Sequence, residues 1–274
     1  MNVIPPLPLP AGPAITPVHR DSDLWSEVAR IRMRSNRGEP LLTADWDRTL
    51  MIHYEVDSAA LRPFVPFPLD LRDGRAYVSL VAFTLRNMKP TRGGKLTEWL
   101  FRPIATHGFL NVRTYVRVGN EPGIYFLTEY LDNILSLRLG PPLFGLPYCG
   151  AGLDYRHDWE DAAISGRVSD DSAGTSLEYT SYVPPAAKFN PSPAGSLTEW
   201  LMERYTAFTA HHRHRRLFRV WHTPWTHTPV SVTVRDDSLL RARWPWFAKA
   251  RLIGGNFSPG LRNVWMGRPH RLPG

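Results

Sequence analysis

Leu110-Asn111-Val112-Arg113-Thr114-Tyr115-Val116-Arg117-Val118 runs into Ile124-Tyr125-Phe126-Leu127-Thr128-Glu129-Tyr130-Leu131 across Gly119-Asn120-Glu121-Pro122. Two β-rich runs separated by turn residues predict a hairpin of strands 111–118 and 124–131. Side chains alternate along a strand, so Asn111, Arg113, Tyr115 and Arg117 share one face, and Val112, Thr114, Val116 and Val118 share the other. The same period places Tyr125 with Glu129 on one face of the second strand. Two arginines beside an aromatic ring suit a cavity that holds an organic anion. The competing reading is a solvated outer face, on which alternate polar residues are ordinary.

Outward from the hairpin, Arg75 to Asn87 is apolar on both faces, which predicts a strand covered on both sides. Leu41 to Val56 reads as a strand or two. Strands are also expected at 163–168, 176–183 and 230–234, with one or two more in the last forty residues. Helices are expected at Ser22 to Arg34, with Ser22 as cap and Leu24, Val28, Ile31 and Met33 as its apolar face, and for one turn at Asp57 to Arg62. Another runs from Asn133 to Leu139, ended by Gly140-Pro141-Pro142. A capping box, Ser196-Leu197-Thr198-Glu199, opens a helix carrying Leu197, Trp200, Leu201, Arg204-Tyr205 and Phe208 at helical spacing. Gly93-Gly94-Lys95 reads as a turn. Many strands, few helices and no strand–helix–strand rhythm give an α+β, mainly antiparallel protein.

The chain has 274 residues, 43% of them hydrophobic, enough for one sizeable domain, which we place at 21–274 behind a proline-rich tail at 1–20. Its formal charge is +8, and Lys89, Lys95, Lys188 and Lys249 are the only lysines, so the basic charge is almost all arginine. The arginines are scattered rather than striped, which argues against a nucleic-acid partner. No run approaches the roughly 18 apolar residues of a membrane span, and no membrane partner is expected. Cys149 is the single cysteine, which excludes an internal disulfide and suits the cytoplasm. It reads as a small buried filler.

Several segments resemble the YqjF-like bacterial proteins, a branch of the acetoacetate decarboxylase-like superfamily. They are Trp46 with His53-Tyr54-Glu55-Val56-Asp57, Leu61-Arg62-Pro63-Phe64-Val65-Pro66, Asp73 to Phe83, Asn111 to Val116, Leu146-Pro147-Tyr148, Glu203-Arg204-Tyr205 and His222-Thr223-Pro224-Trp225. They span roughly residues 40–235. The resemblance implies a curved, barrel-like sheet enclosing a cavity, with strand 111–118 lining it. It also places Tyr148 where the decarboxylases carry a Schiff-base lysine. A phenol forms no imine, so imine chemistry is not expected. Phe109 departs from that branch, which usually carries an acid there.

The candidate catalytic residues are therefore Tyr148, a hydrogen-bond donor to a carbonyl or a plug in the cavity, and Glu129. An inward Glu129 would have a raised pKa and act as acid or base; at a sheet edge it would pair with Arg113 or Arg117 instead. The candidate ligand-binding residues are Asn111, Arg113, Tyr115, Tyr125 and His222, the last with a structural hydrogen bond as its alternative. Lys188 sits in a loop-like setting and is not expected to form an imine. His211, His212 and His214 lie in an arginine-rich run that reads as a solvated loop after the helix. No metal spacing is present, and no metal or cofactor is expected. The partner expected is a small organic acid or carbonyl compound, and a homo-oligomer is compatible with the sequence. Three functions remain open: acid–base enzyme, ligand-binding or sensor protein, and scaffold with a filled cavity.

Overall fold

The computed structural model describes residues 21–211 and 214–272. The tail expected at 1–20 and His212 of the basic run lie outside the described residues. In chain order the first elements are α1 (Asp21–Ser35), β1 (Leu42–Val56), α2 (Ser58–Leu61), β2 (Ala76–Pro90), α3 (Gly94–Phe101), β3 (His107–Val118) and β4 (Glu121–Leu131). Next come α4 (Ile134–Phe144), β5 (Tyr148–Gly150), β6 (Gly152–Arg156), β7 (Ala163–Asp170), β8 (Thr175–Tyr182), β9 (Asn190–Pro191) and α5 (Leu197–Met202). The chain continues through β10 (Thr206–His211), β11 (His214–Trp221), β12 (Thr226–Val230), β13 (Val232–Asp236), α6 (Ser238–Arg243), β14 (Arg251–Met266) and β15 (His270–Arg271).

The large sheet curls on itself. Its order β14-β1-β2-β3-β4-β10-β11 returns to β14 through Val220↔Met266 and Trp221↔Trp265. These pairings are antiparallel except β4–β10, and β5 adds a second parallel partner to β4. A smaller antiparallel sheet, β13-β8-β7-β6, packs outside. The barrel wall therefore divides two cores. Met51, Val81, Phe83, Phe109, Phe126 and Trp225 fill the inner one. Leu50, Ile52, Leu80, Leu110 and Val112 face outward against Ile164 and Leu177 of the smaller sheet. This explains the two-sided apolarity of β2: one face sees each core.

Local chemistry accounts for the element ends. Asp57, Asn133 and Ser196 cap their helices, accepting from the backbone N–H of Ala59, Ser136 and Glu199. Glu199 completes its side of the capping box one residue early, accepting from Gly195 N–H at 2.6 Å and from Ser22 N–H at 3.1 Å.

Several boundaries differ from expectation. α4 does not stop at Gly140: Pro141 and Pro142 continue it, because proline's fixed φ is helical, and Gly145 ends it at φ 75° with its N–H on the Pro141 carbonyl. α5 stops at Met202, and Phe208 lies on β10, so the helical spacing of Arg204, Tyr205 and Phe208 is coincidental. The His211–Arg216 run flanks a β-hairpin rather than forming a loop after a helix, with His211 paired to His214. The strand expected at 230–234 breaks at Ser231, where the chain leaves the barrel for the smaller sheet. Gly93 precedes a helix, α3, rather than a simple turn. Ser22 lies inside α1 rather than capping it. Ser22, Ser26, Ala29 and Met33 are the buried face of α1, while Leu24, Val28 and Ile31 are exposed. The helix docks through hydrogen bonds, Ser26 Oγ donating to the His222 carbonyl at 2.6 Å.

Candidate functional site

The barrel interior holds a cavity of about 310 Å³. Along β3 its wall is His107, Phe109, Asn111 and Arg113 in succession, the alternate residues of one strand face. The next residue on that face, Tyr115, is almost wholly buried and does not line the cavity. Its hydroxyl donates to the Leu201 carbonyl at 3.0 Å and lies 2.6 Å from Ser79 Oγ, which is 2.7 Å from His53 Nδ1. Tyr115 therefore seals the floor instead of touching the cavity, contrary to expectation. Arg117, one step further, leaves the interior and pairs with Asp70 at 3.0 Å.

Arg113 sits at that floor. It donates through Nη2 to the Leu201 carbonyl at 3.3 Å, approaches Met51 Sδ at 3.9 Å, and has no hydrogen-bond partner for Nε. Among the described residues no carboxylate lies within ion-pair distance of it. Its charge acts on two neighbouring imidazoles: burial first, then Arg113, pushes His53 down to about 3. Burial, with a smaller contribution from Arg113, pushes His222 down to about 4. Both rings are thus neutral at physiological pH.

Glu129 and Tyr148 enter the cavity together. They are register partners on the parallel β4–β5 pair, and Asn111 is the partner of Glu129 on β3. Glu129 is almost fully buried, pairs with neither Arg113 nor Arg117, and its Oε2 has no hydrogen-bond partner. Burial raises its pKa to about 8. Burial, then the nearby Glu129, raises Tyr148 well above the ordinary phenol value, so it stays a neutral donor. The Tyr148 ring packs on Phe109, with centroids 5.9 Å apart, and over Gly140 of α4. A Cβ at Gly140 would lie 2.1 Å from that ring, so glycine is required by close approach.

Tyr125 is not in this site. It is on the outer face, packed edge-on against Phe67. The reason is a bulge: Val112 pairs with Thr128 but Arg113 pairs with Phe126, leaving Leu127 unpaired. One extra residue reverses the side-chain phase. Ile124 and Phe126 face inward before it, and Glu129 faces inward after it.

His222 does line the cavity, and it also makes the structural bond expected as its alternative, Nδ1 lying 2.8 Å from the Thr223 carbonyl. Its ring stacks on Tyr205 at 4.7 Å. Glu203 fixes this corner by accepting from Trp225 N–H at 2.8 Å and Tyr205 O–H at 2.6 Å. Arg204 also lines the cavity, a role the sequence reading missed. It pairs with Asp70 at 2.9 Å and lies 4.2 Å over the Trp200 ring, leaving Nη2 without a partner. Burial lowers its pKa to about 10. Its signal in the sequence was the Glu203-Arg204-Tyr205 match, obscured by assigning those residues to a helix.

None of the four lysines lines the cavity. Cys149 packs at the outer core with Arg243 3.6 Å from its sulfur. Among the described residues, no helix is long and apolar enough to cross a membrane, and no group of three side chains is arranged to hold a metal ion.

Solved structures share this architecture. Acetoacetate decarboxylase from Legionella pneumophila superposes with a TM-score of 0.59 over 85% of this chain and 87% of that one, at 12% identity. The enduracididine biosynthesis enzyme MppR, complexed with pyruvate, gives 0.58 over 85% and 91%, at 13% identity. These likenesses establish an acetoacetate decarboxylase-like fold. In sequence, the chain is 29% identical to the uncharacterised protein YqjF of Bacillus subtilis over 209 residues, which are 72% of this chain and 81% of that protein. The family model of DUF2071, described as an uncharacterised conserved protein, matches residues 43–247, and the chain belongs to that family.

Proposed function

We propose that the barrel cavity binds a carboxylate or polarised carbonyl compound on Arg113 and that Glu129 and Tyr148 perform acid–base chemistry on it without an imine. The observation that carries this is the buried Arg113, which borders the cavity with an unpartnered Nε and no acid beside it. A buried guanidinium without an anion is costly, and a ligand carboxylate that takes its fork supplies the missing charge. A side-chain-filled scaffold is disfavoured by the 310 Å³ cavity.

The chemistry follows from the layout. Glu129, ionised above a pKa of about 8, takes a proton from the carbon next to a carbonyl. The C–H electron pair becomes the C=C bond of an enolate while the carbonyl π pair moves onto oxygen, which accepts a hydrogen bond from neutral Tyr148. Reprotonation by Glu129 completes the cycle. The pyruvate complex of MppR supports a keto acid as the first probe.

Deuterium uptake from heavy water into pyruvate or acetoacetate tests the reading. Uptake above background that falls at least a hundredfold in Glu129→Gln supports it. Unchanged uptake in that variant overturns the role of Glu129. Binding on Arg113 without any exchange would make this a binding protein with no turnover. Borohydride treatment with acetoacetate should leave no covalent adduct, and an adduct on Lys188 or any other lysine would refute the imine-free mechanism.

A further inference from the structure

The cavity is larger and more apolar than a three- or four-carbon keto acid needs. Its 310 Å³ is in the range of sites for drug-sized ligands. Its polar groups are not spread evenly. Arg113 lies at the floor, and Asn111, Glu129 and Tyr148 share one level, a strand step of two residues nearer the entrance. Two residues of strand correspond to roughly 6–7 Å. Beyond that level the wall is largely apolar, formed by Phe109, Phe101, Ile104, Leu139 and Leu143, with His107 and Ser136 as its polar members. Leu139 and Leu143 of α4 are 46% and 56% exposed while lining the cavity, so solvent meets the cavity there. Ile134 and Leu135 of the same helix, and Leu96 and Trp99 of α3, are exposed apolar residues too.

A cation without an acid partner at the closed end (Arg204, which also lines the cavity, is paired with Asp70), acid–base groups one step above it and a largely apolar passage to an apolar entrance describe a receptor for a two-ended molecule. We propose that the ligand is an amphipathic carboxylate: its carboxylate sits on Arg113, its second and third carbons lie beside Glu129 and Tyr148, and its aliphatic or aromatic tail runs past Phe109 to α4. This rests on the reading of Arg113 as the carboxylate anchor and extends it to the substrate class. A short keto acid would leave the passage wall unused, whereas each methylene buried against it strengthens binding by roughly fourfold.

Titration calorimetry of the full chain with butyrate, octanoate and dodecanoate tests the proposal. Octanoate should bind at least tenfold more tightly than butyrate. Leu139→Asp, a half-exposed substitution at the entrance that leaves the core alone, should weaken dodecanoate at least threefold more than it weakens butyrate. Arg113→Lys should weaken all three tenfold or more. Equal affinity for butyrate and octanoate, or no binding by any of them, overturns the amphipathic assignment. If butyrate binding still depends on Arg113, the carboxylate anchor survives that outcome. Octanoate binding that is unchanged in Arg113→Lys overturns the anchor itself, and with it this proposal.

Discussion

Glu129 and Tyr148 are register partners on two parallel strands, so a buried carboxyl and a neutral phenol enter the same cavity side by side. Both are held in their protonated forms by burial, and the carboxyl titrates first, at about 8. Any proton leaving this pair near neutral pH leaves from Glu129.

That titration has a consequence for stability. The Glu129 pKa is about 8 in the folded protein against an ordinary 4.5, so the folded state holds a proton that the unfolded chain releases. Its contribution is fully present below pH 4.5 and is lost as the pH rises towards about 8. Glu203, raised to about 7 by burial, acts in the same direction. Glu129→Gln removes only the first. Thermal melts should show the variant gaining on the parent between pH 5 and pH 8, by an amount on the order of a few kcal/mol. A gap independent of pH would refute the raised pKa.

Arg113→Met should separate stability from binding. The buried cation has no acid partner, and the Leu201 carbonyl that it bonds keeps the Tyr115 hydroxyl as donor. Removing the charge therefore leaves no orphaned acceptor. A gain of about 1 kcal/mol corresponds to roughly 2–4 °C in melting temperature for a chain of this size, with anion binding lost. A fall of several degrees would show that the guanidinium is structurally required.

Ligand contacts should rank. Arg113→Lys loses the planar fork and should weaken a carboxylate ligand about tenfold or more. Tyr148→Phe loses one neutral hydrogen bond, about 0.5–1.5 kcal/mol. The reverse order in a binding titration would favour a neutral ligand anchored on the phenol.

Gly140→Ala should destabilise, although alanine is the better helix former by about 1 kcal/mol. The new methyl would meet the Tyr148 ring at 2.1 Å. In Tyr148→Ala the same change should become favourable. A double-mutant cycle in denaturant with no coupling between the two positions would show that the ring does not depend on the glycine.

The hairpin's two strands and the two-sided burial of β2 were legible because apolar runs and turn residues report directly on strands and their cover, whereas alternation put Arg113 on a shared face without saying whether that face looks inward. Tyr125 was misplaced because nothing in Phe126-Leu127-Thr128 announces a bulge: an extra residue in a uniformly β-prone run changes the phase without changing composition. Tyr115 was assigned the right face but the wrong depth, since periodicity gives direction and not where a cavity ends. Arg204 was hidden because Glu203 is committed to Trp225, a contact from distant sequence that overrides the local helical spacing.

The barrel's circumference is unevenly stitched. β1 meets β2 and β14 over long ladders, and β2 meets β3 over eight pairs. The β10–β11 hairpin, by contrast, meets β4 at Ala207↔Ile124 and Phe208↔Tyr125, and β14 at Val220↔Met266 and Trp221↔Trp265. Its outer strand carries Phe218 and Val220 of the cavity wall. With a short seam on either side, the amides of this hairpin should exchange with solvent sooner than those of β1–β3, and a ligand that fills the cavity against Phe218 and Val220 should slow that exchange.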